Sequence, residues 1–175
     1  DSATLSNKCL ELIEAHYLFN IPFNKLDIAI HPEAKVHSIF EFNNYIYNMI
    51  YFFNDMNIPI FHFLNQRNNL IFKKNIYNFN FNQSLEFKEV NNLEFPIYKL
   101  FKNLNKEIPS NLIRFNVANE FAVELFKRNL IRYTDIYNII RKILSLNLNY
   151  NLNNIKDIIK YHELLEIKIN EKIKV

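Results

Sequence analysis

Glycine is absent from this 175-residue chain, and so is tryptophan. Average glycine usage of about 7% would supply roughly a dozen residues. Without glycine, these residues cannot form the glycine-rich phosphate turn that opens a dinucleotide-binding fold. Turns that need a positive φ angle must use asparagine or aspartate, and the clearest case is Asn43-Asn44, between two strand-like runs.

Other features that are scarce exclude further classes of protein. The single cysteine, Cys9, cannot form an intrachain disulfide, fits a reducing compartment, and is expected to pack as a small apolar residue. The 21 basic and 18 acidic residues are interspersed, so the basic stripe that nucleic-acid binding requires is missing. No run approaches the ~18 uninterrupted apolar residues of a membrane span. We therefore expect a soluble protein that binds neither nucleic acid nor membrane.

The pattern of apolar residues predicts an α+β fold in three consecutive parts. The first part contains an opening helix and a small β-sheet; the third has helical periodicity and follows an Asn-rich, irregular connector. We assign residues 1–66 to a first domain with the opening helix and the sheet, 67–95 to the connector, and 96–175 to a C-terminal four-helix bundle. The expected elements are a helix over 5–19, a strand over 26–30, a hairpin of 36–42 and 45–53, a helix over 58–64, and four helices after Pro96.

Polar side chains crowd the first turns of the opening helix. Asn7, Lys8 and Glu11 stand at i, i+1 and i+4, so they lie on neighbouring parts of one helix face. A helix N-terminus favours anions, and a lysine beside neutral donors favours a phosphate or polyol, while Glu11 could bind a metal. The alternative is a surface helix with a Lys8–Glu11 ion pair. The hydroxyl groups available to cap its first turn are those of Ser2, Thr4 and Ser6.

The residues from Asp1 to Glu11 resemble the DSAT-x-x-NK-x-LE segment of the 1-deoxy-D-xylulose-5-phosphate reductoisomerase family. Further blocks resemble the same family in order along the chain. This chain departs from the family's pattern at Leu5-Ser6, Cys9 and Asn54, where the family has a Met pair, Gly and Pro. The matching blocks are Ile13-Glu14-Ala15, Leu18-Phe19-Asn20, Ile30-His31-Pro32, Val36-His37-Ser38, Asp55-Met56, Ile58-Pro59-Ile60, Leu85-Glu86-Phe87, Phe95-Pro96, the segment 116–120 and the segment 132–136.

The resemblance implies an enzyme of isoprenoid precursor synthesis. The family converts 1-deoxy-D-xylulose 5-phosphate to 2-C-methyl-D-erythritol 4-phosphate with NADPH and one divalent ion, Mg or Mn. By resemblance, the substrate-binding residues are Ser2, Asn7, Lys8 and Glu11, and Glu11 is also a metal ligand. The resemblance further implies that residues 1–66 are a partial catalytic and dimerisation domain, with a homodimer formed through the sheet. It also implies a cytoplasmic location in a bacterium or a plastid-type organelle in a eukaryote.

Two residues outside the opening segment are weaker candidates for the same site. By resemblance, His37 lies in a strand that approaches the substrate pocket, which makes it a possible catalytic residue. Met56 matches a position near the nicotinamide, so it is a possible cofactor contact, although a methionine in an apolar link is ordinary core filler. The remaining histidines match no zinc-binding spacing and are expected to be structural or exposed.

The resemblance also implies that part of the site lies outside these residues. The family places its nucleotide-binding domain and its other acidic metal ligands before the Asp-Ser-Ala-Thr motif, so we expect Asp1 to be an internal start. We predict that the 175 residues alone are inactive. The alternative is a non-catalytic dimerisation or interaction remnant, and a plain helical interaction module would explain the C-terminal helices but not the first eleven residues.

Overall fold

The computed structural model describes residues 2–43, 45–65 and 82–173. Its residues group into two compact units, one formed by residues 1–28 with 90–175 and the other by residues 29–89. The helices are α1 (Ser6–Phe19), α2 (Asn57–Leu64), α3 (Pro96–Asn103), α4 (Pro109–Lys127), α5 (Tyr133–Leu144) and α6 (Ile155–Lys172). The strands are β1 (Ala29–Ile30), β2 (Val36–Phe42), β3 (Ile46–Tyr51) and β4 (Lys88–Glu89). Among the described residues, no helix combines the length and apolar character of a membrane span.

The first unit is helical, and local sequence signals set where its helices begin. Pro96 and Pro109 open α3 and α4 in the first helical turn, where proline's missing N–H costs nothing. Asn154 caps α6, because its side chain accepts a 3.1 Å hydrogen bond from the Asp157 N–H. The helices bury one apolar core, whose fully enclosed side chains include Cys9, Phe101, Phe115, Ile140, Ile143, Tyr161, Leu165 and Ile169.

A buried polar network holds the segment between α5 and α6 against α4. Arg114, only 5% exposed, donates from one guanidinium nitrogen to the Leu146 carbonyl and from the other to Asn111 Oδ1 at 2.6 Å. The Tyr161 hydroxyl donates to the Leu148 carbonyl at 2.5 Å. These bonds satisfy carbonyl groups just beyond the C-terminal end of α5, where a cation also meets the negative end of the helix dipole.

The second unit contains the strands. β2 and β3 form an antiparallel hairpin in which Phe42 pairs with Ile46 and Ile39 with Met49, and β1 pairs with β4. Behind β1, the His31 Nδ1 atom lies 2.7 Å from the Glu86 carbonyl oxygen and 2.9 Å from Glu33 Oε2. His31 therefore ties the turn after β1 to the residues before β4.

The predicted fold class is confirmed, and most predicted elements lie within two residues of the observed ones. The strand expected over residues 26–30 is reduced to Ala29–Ile30, since its pairing partner β4 is only two residues long. The helix α1 packs with α3 and α4 in the helical unit, and the predicted domain bounds stay a prediction. The boundary expected at 66/67 lies outside the described residues.

Positive φ angles occur at residues other than the asparagines and aspartates expected to replace glycine. Asn20 and Asn129 follow the expectation. Leu5, Ala34 and Tyr45 do not, with φ values of 59°, 49° and 61°. Asn44, expected in the hairpin turn, lies outside the described residues. A left-handed conformation costs an ordinary L-residue roughly 1 kcal/mol, so the chain carries local strain at these three positions.

Replacing Ala34 by glycine is expected to raise the free energy of unfolding by up to about 1 kcal/mol, because the left-handed strain is removed. The control is Ala15→Gly in the middle of α1, where the same change should cost about 1 kcal/mol. Urea unfolding followed by circular dichroism measures both variants. Equal destabilisation by the two substitutions would contradict the assignment of strain to Ala34.

Candidate functional site

The candidate site is built on the first turns of α1. The residues Ser2–Thr4 form a 3₁₀ turn, and Leu5, with its positive φ, leads into the helix. Leu5 occupies the N-cap position and has no side chain that can cap, so the expected serine or threonine cap is not at that position. Instead the buried Thr4 Oγ1 accepts the Ser6 N–H at 3.3 Å and donates to Ser6 Oγ at 2.9 Å. This small network orients the exposed residues that follow.

Two of the four predicted substrate residues, Asn7 and Lys8, converge on the carboxylate of a third, Glu11. The Asn7 amide donates to Glu11 Oε1 at 3.2 Å, and the Lys8 ammonium lies 2.7 Å from Glu11 Oε2. About half of each charged side chain is exposed, 49% for Lys8 and 45% for Glu11. Ser2, the fourth, is exposed on the 3₁₀ turn just before the helix. The first turns of α1 therefore present donors and a carboxylate to solvent on one face.

This arrangement suits ligand exchange. An exposed Lys–Glu ion pair contributes at most about 1 kcal/mol to stability. Lys8 can therefore leave Glu11 and bind an incoming anion at little cost in free energy. The same exchange frees Glu11 Oε2, a hard ligand of the kind that Mg²⁺ and Mn²⁺ prefer, while Oε1 still accepts from the Asn7 amide. Glu11 fits one position of such a metal and no more, because the described residues contain no group of three or more acidic, histidine or cysteine side chains that could hold an ion.

Contacts below and beside α1 hold this face in place. Cys9 is fully buried and packs in the helical core on the opposite side of the helix from solvent. The Tyr133 hydroxyl, from the first residue of α5, donates to the Ala3 carbonyl at 3.2 Å. Nothing in the sequence indicated this contact, since 130 residues separate the partners and a tyrosine at a helix start carries no pairing signal.

Burial makes Cys9 inert, in agreement with its expected packing role. Desolvation raises the pKa of its thiol from 9.0 to about 12, with Lys106 opposing the shift. We expect no reaction with a thiol reagent such as 5,5′-dithiobis(2-nitrobenzoate) at pH 8 in the native state, and one equivalent after denaturation. Rapid stoichiometric reaction of the native chain would contradict this burial.

The two weaker candidates belong to the other unit. His37 is exposed on β2, its ring stacks on Phe52 with 3.5 Å between centroids, and its Nε2 atom lies 3.3 Å from the Phe52 carbonyl oxygen. Met56, 61% exposed, directly precedes α2. His37 is thus oriented by its own hairpin, and both residues stay predictions as site residues.

The comparisons with known proteins agree on one family. The family model described as DXP reductoisomerase C-terminal domain matches residues 53–166. The 1-deoxy-D-xylulose 5-phosphate reductoisomerase of Sulfurihydrogenibium sp. (strain YO3AOP1) is 39% identical over 90% of this chain, and that of Clostridium kluyveri is 36% identical over 99%. This chain spans 42% and 44% of their lengths, so it corresponds to less than half of each relative.

Solved structures of reductoisomerases have the same fold. The Zymomonas mobilis enzyme in complex with NADPH superposes with a TM-score of 0.83 at 29% identity, covering 98% of this chain and 45% of that one. A reductoisomerase structure with fosmidomycin and magnesium also gives 0.83, at 28% identity and the same coverage. The resemblance inferred from the opening motif is confirmed. The family model matches well over half of the residues of this chain, and the chain therefore belongs to the DXP reductoisomerase C-terminal domain family.

Proposed function

We propose that this chain supplies the substrate-binding and metal-binding helix of a reductoisomerase that converts 1-deoxy-D-xylulose 5-phosphate to 2-C-methyl-D-erythritol 4-phosphate. The observation that carries the proposal is the convergence of Asn7 and Lys8 on Glu11 at the start of α1. Relatives named for this activity match nearly the whole chain. The related structures bind NADPH and magnesium, which supports these cofactors here, with manganese as an alternative ion.

Each residue of the cluster has a separate role in this proposal. The Lys8 ammonium leaves Glu11 and donates a charge-assisted hydrogen bond to the substrate phosphate or a hydroxyl. The Asn7 amide and the Ser2 hydroxyl donate neutral hydrogen bonds that set the orientation of the sugar. Glu11 provides one carboxylate to the divalent ion and contacts the substrate. When bound, the ion supplies Lewis-acid stabilisation of charge on the vicinal substrate oxygens.

The rest of the proposed catalytic site must come from residues other than these 175. NADPH needs a phosphate-binding turn, which a chain without glycine lacks, and one carboxylate is too few ligands for a tight ion. We therefore propose that the isolated chain is inactive and that His37 and Met56 act only beside a nucleotide-binding domain. A non-catalytic remnant is the alternative function.

A chimaera tests the proposed function. The chain is joined after the part of the Sulfurihydrogenibium reductoisomerase that precedes the Asp-Ser-Ala-Thr motif, and NADPH oxidation is measured with substrate and Mn²⁺. We expect turnover by the chimaera and none by the 175 residues alone. A folded chimaera that binds NADPH but does not turn over would contradict the enzyme and favour the remnant. Turnover by the isolated chain would contradict its proposed inactivity.

We also propose that the hairpin of β2 and β3 forms a homodimer contact. A two-stranded hairpin is marginally stable alone, and both faces of this one expose large apolar side chains. Ile39 and Phe40 point to opposite faces, because neighbouring strand residues alternate, and they are 42% and 44% exposed. Burial against a second hairpin would cover one such face.

Replacing Ile46 on β3 by lysine is therefore expected to shift the chain from dimer to monomer, measured by sedimentation equilibrium at micromolar concentration. A buried unpaired ammonium at such a contact costs several kcal/mol. Ile167→Lys on α6 is a matched control, because both isoleucines are 58% exposed. A wild-type monomer, or equal effects of the two changes, would contradict a dimer through the hairpin.

A further inference from the structure

The helical unit contains a cavity that is separate from the proposed substrate residues. It has a volume of about 570 Å³ and opens between α1, α4 and α6. None of Ser2, Asn7, Lys8 and Glu11 lines it. Its size lies within the range of roughly 300–1,000 Å³ typical of sites for small molecules. Its walls are mainly aliphatic and comprise Leu10, Ile13, Leu112, Ile113, Leu152 and Ile158.

The polar side chains of the cavity lining include one carboxylate. Glu14 and His162 line it, and neither lysine nor arginine does. The Glu14 carboxylate, exposed on α1, has no hydrogen-bond or ion-pair partner among the described residues. Asn116, also in the lining, donates to Glu120 Oε1 at 3.1 Å, and Glu120 Oε2 lies 3.7 Å from His162 Nε2. The lining therefore contains one carboxylate without a partner, Glu14, while the exposed Glu120 carboxylate contacts two lining residues.

The aliphatic walls of the cavity and the carboxylate at its rim indicate which class of ligand it would bind. Aliphatic walls gain free energy by taking apolar area out of water, at about 0.8 kcal/mol per methylene. A cationic group at the rim would meet the unpaired Glu14 carboxylate, whereas a carboxylate or phosphate would be repelled by it. We propose that this cavity is a binding site for small primary amines with an aliphatic body, the ammonium group facing Glu14.

The cavity opens at the surface, and its mainly aliphatic lining offers water few polar partners. Tyr17 and Ile158 at the cavity are 58% and 42% exposed, so a ligand can enter without the helices separating. The cavity is therefore accessible as well as apolar.

Three six-carbon probes that differ only in their head group separate the effect of ligand charge on affinity from the effect of apolar burial. Hexylammonium, 1-hexanol and hexanoate are titrated into the isotopically labelled chain at pH 7, and amide chemical shifts give the affinity and the place of binding. No sugar phosphate or metal is present, so the result does not depend on the proposed enzymatic function. We expect shifts at the α1, α4 and α6 residues of the cavity, with hexylammonium binding roughly threefold tighter than hexanol. Hexanoate should bind weakest, and butylammonium about fifteenfold more weakly than hexylammonium.

Variants test the assignment of each part. Glu14→Gln should abolish the preference for hexylammonium over hexanol and leave hexanol binding unchanged, whereas the control Glu171→Gln, near the end of α6, should change neither. Ile113→Trp, which fills the cavity, should abolish binding of both. Absence of saturable shifts in the cavity overturns the proposal. So does binding in which the three head groups are equivalent, or a preference that survives Glu14→Gln.

Discussion

Arg114→Ala is expected to lower the free energy of unfolding by about 3 kcal/mol, in urea unfolding followed by circular dichroism. The substitution removes the two Arg114 donors, so the Leu146 carbonyl and Asn111 Oδ1 lose these bonds. A buried polar group without a partner costs about 1–3 kcal/mol, and the truncation also leaves a cavity. The segment after α5 should then exchange its amide hydrogens faster.

Burying the charged guanidinium costs free energy, and this cost reduces the destabilisation expected from Arg114→Ala. Burial lowers the pKa of Arg114, and its Nε atom has no hydrogen-bond partner among the described residues. Arg114→Met keeps most of the volume and removes the desolvated charge, so its expected cost is smaller than that of alanine. The control is Arg128→Ala at the end of α4, an exposed ion-paired arginine whose loss should cost less than about 1 kcal/mol. Equal costs for residues 114 and 128 would contradict the anchoring role.

Glu11→Gln is expected to reduce kcat/KM by at least about 100-fold in the active chimaera. The loss corresponds to roughly 2.7 kcal/mol of transition-state stabilisation, consistent with removing a charged ligand from a metal that stabilises developing charge. The change preserves size and the Asn7 contact geometry while removing the negative charge. The metal concentration that gives half-maximal activity should rise as well, because a neutral amide is a weaker ligand for a hard cation.

A comparison with Lys8 separates binding of the metal from binding of the phosphate. Lys8→Met should raise KM for the sugar phosphate with little change in the metal dependence, since the ammonium contacts the anion and not the ion. Glu124→Gln on α4 changes an equally exposed, ion-paired glutamate and should leave activity unchanged. If Glu11→Gln kept activity within threefold of the unchanged chimaera, Lys8 and Glu11 would be an ordinary surface ion pair.

The local elements were predictable because their signals lie within a few residues. The β-branched and aromatic runs on either side of the Asn43-Asn44 turn predicted the hairpin, and the isoleucine spacing of α5 predicted a helix with one buried stripe. The face shared by Asn7, Lys8 and Glu11 follows from helical geometry alone. The spacing of apolar residues does not indicate which residues adopt a positive φ angle. The left-handed conformations of Leu5 and Tyr45 were therefore not expected.

Long-range partners were not predictable by the same means. The hydrogen bond from Tyr133 to Ala3 and the insertion of Arg114 beneath the end of α5 join residues that are distant in sequence. An arginine within an amphipathic helix is expected on its exposed face, because transfer of a charge out of water is costly. The burial of Arg114 is favourable because its guanidinium binds a carbonyl group that the fold leaves unpaired just after α5.

The sequence by itself determined the family, the helical and strand segments, and the polar face of α1, since each depends on residue type and short spacing. The tertiary structure decided that α1 packs with the C-terminal helices, that Arg114 is an anchor rather than a surface cation, and that an acidic-rimmed cavity opens between α1, α4 and α6. These features depend on which surfaces meet, because packing depends on shape and volume across the whole core and not on any local pattern.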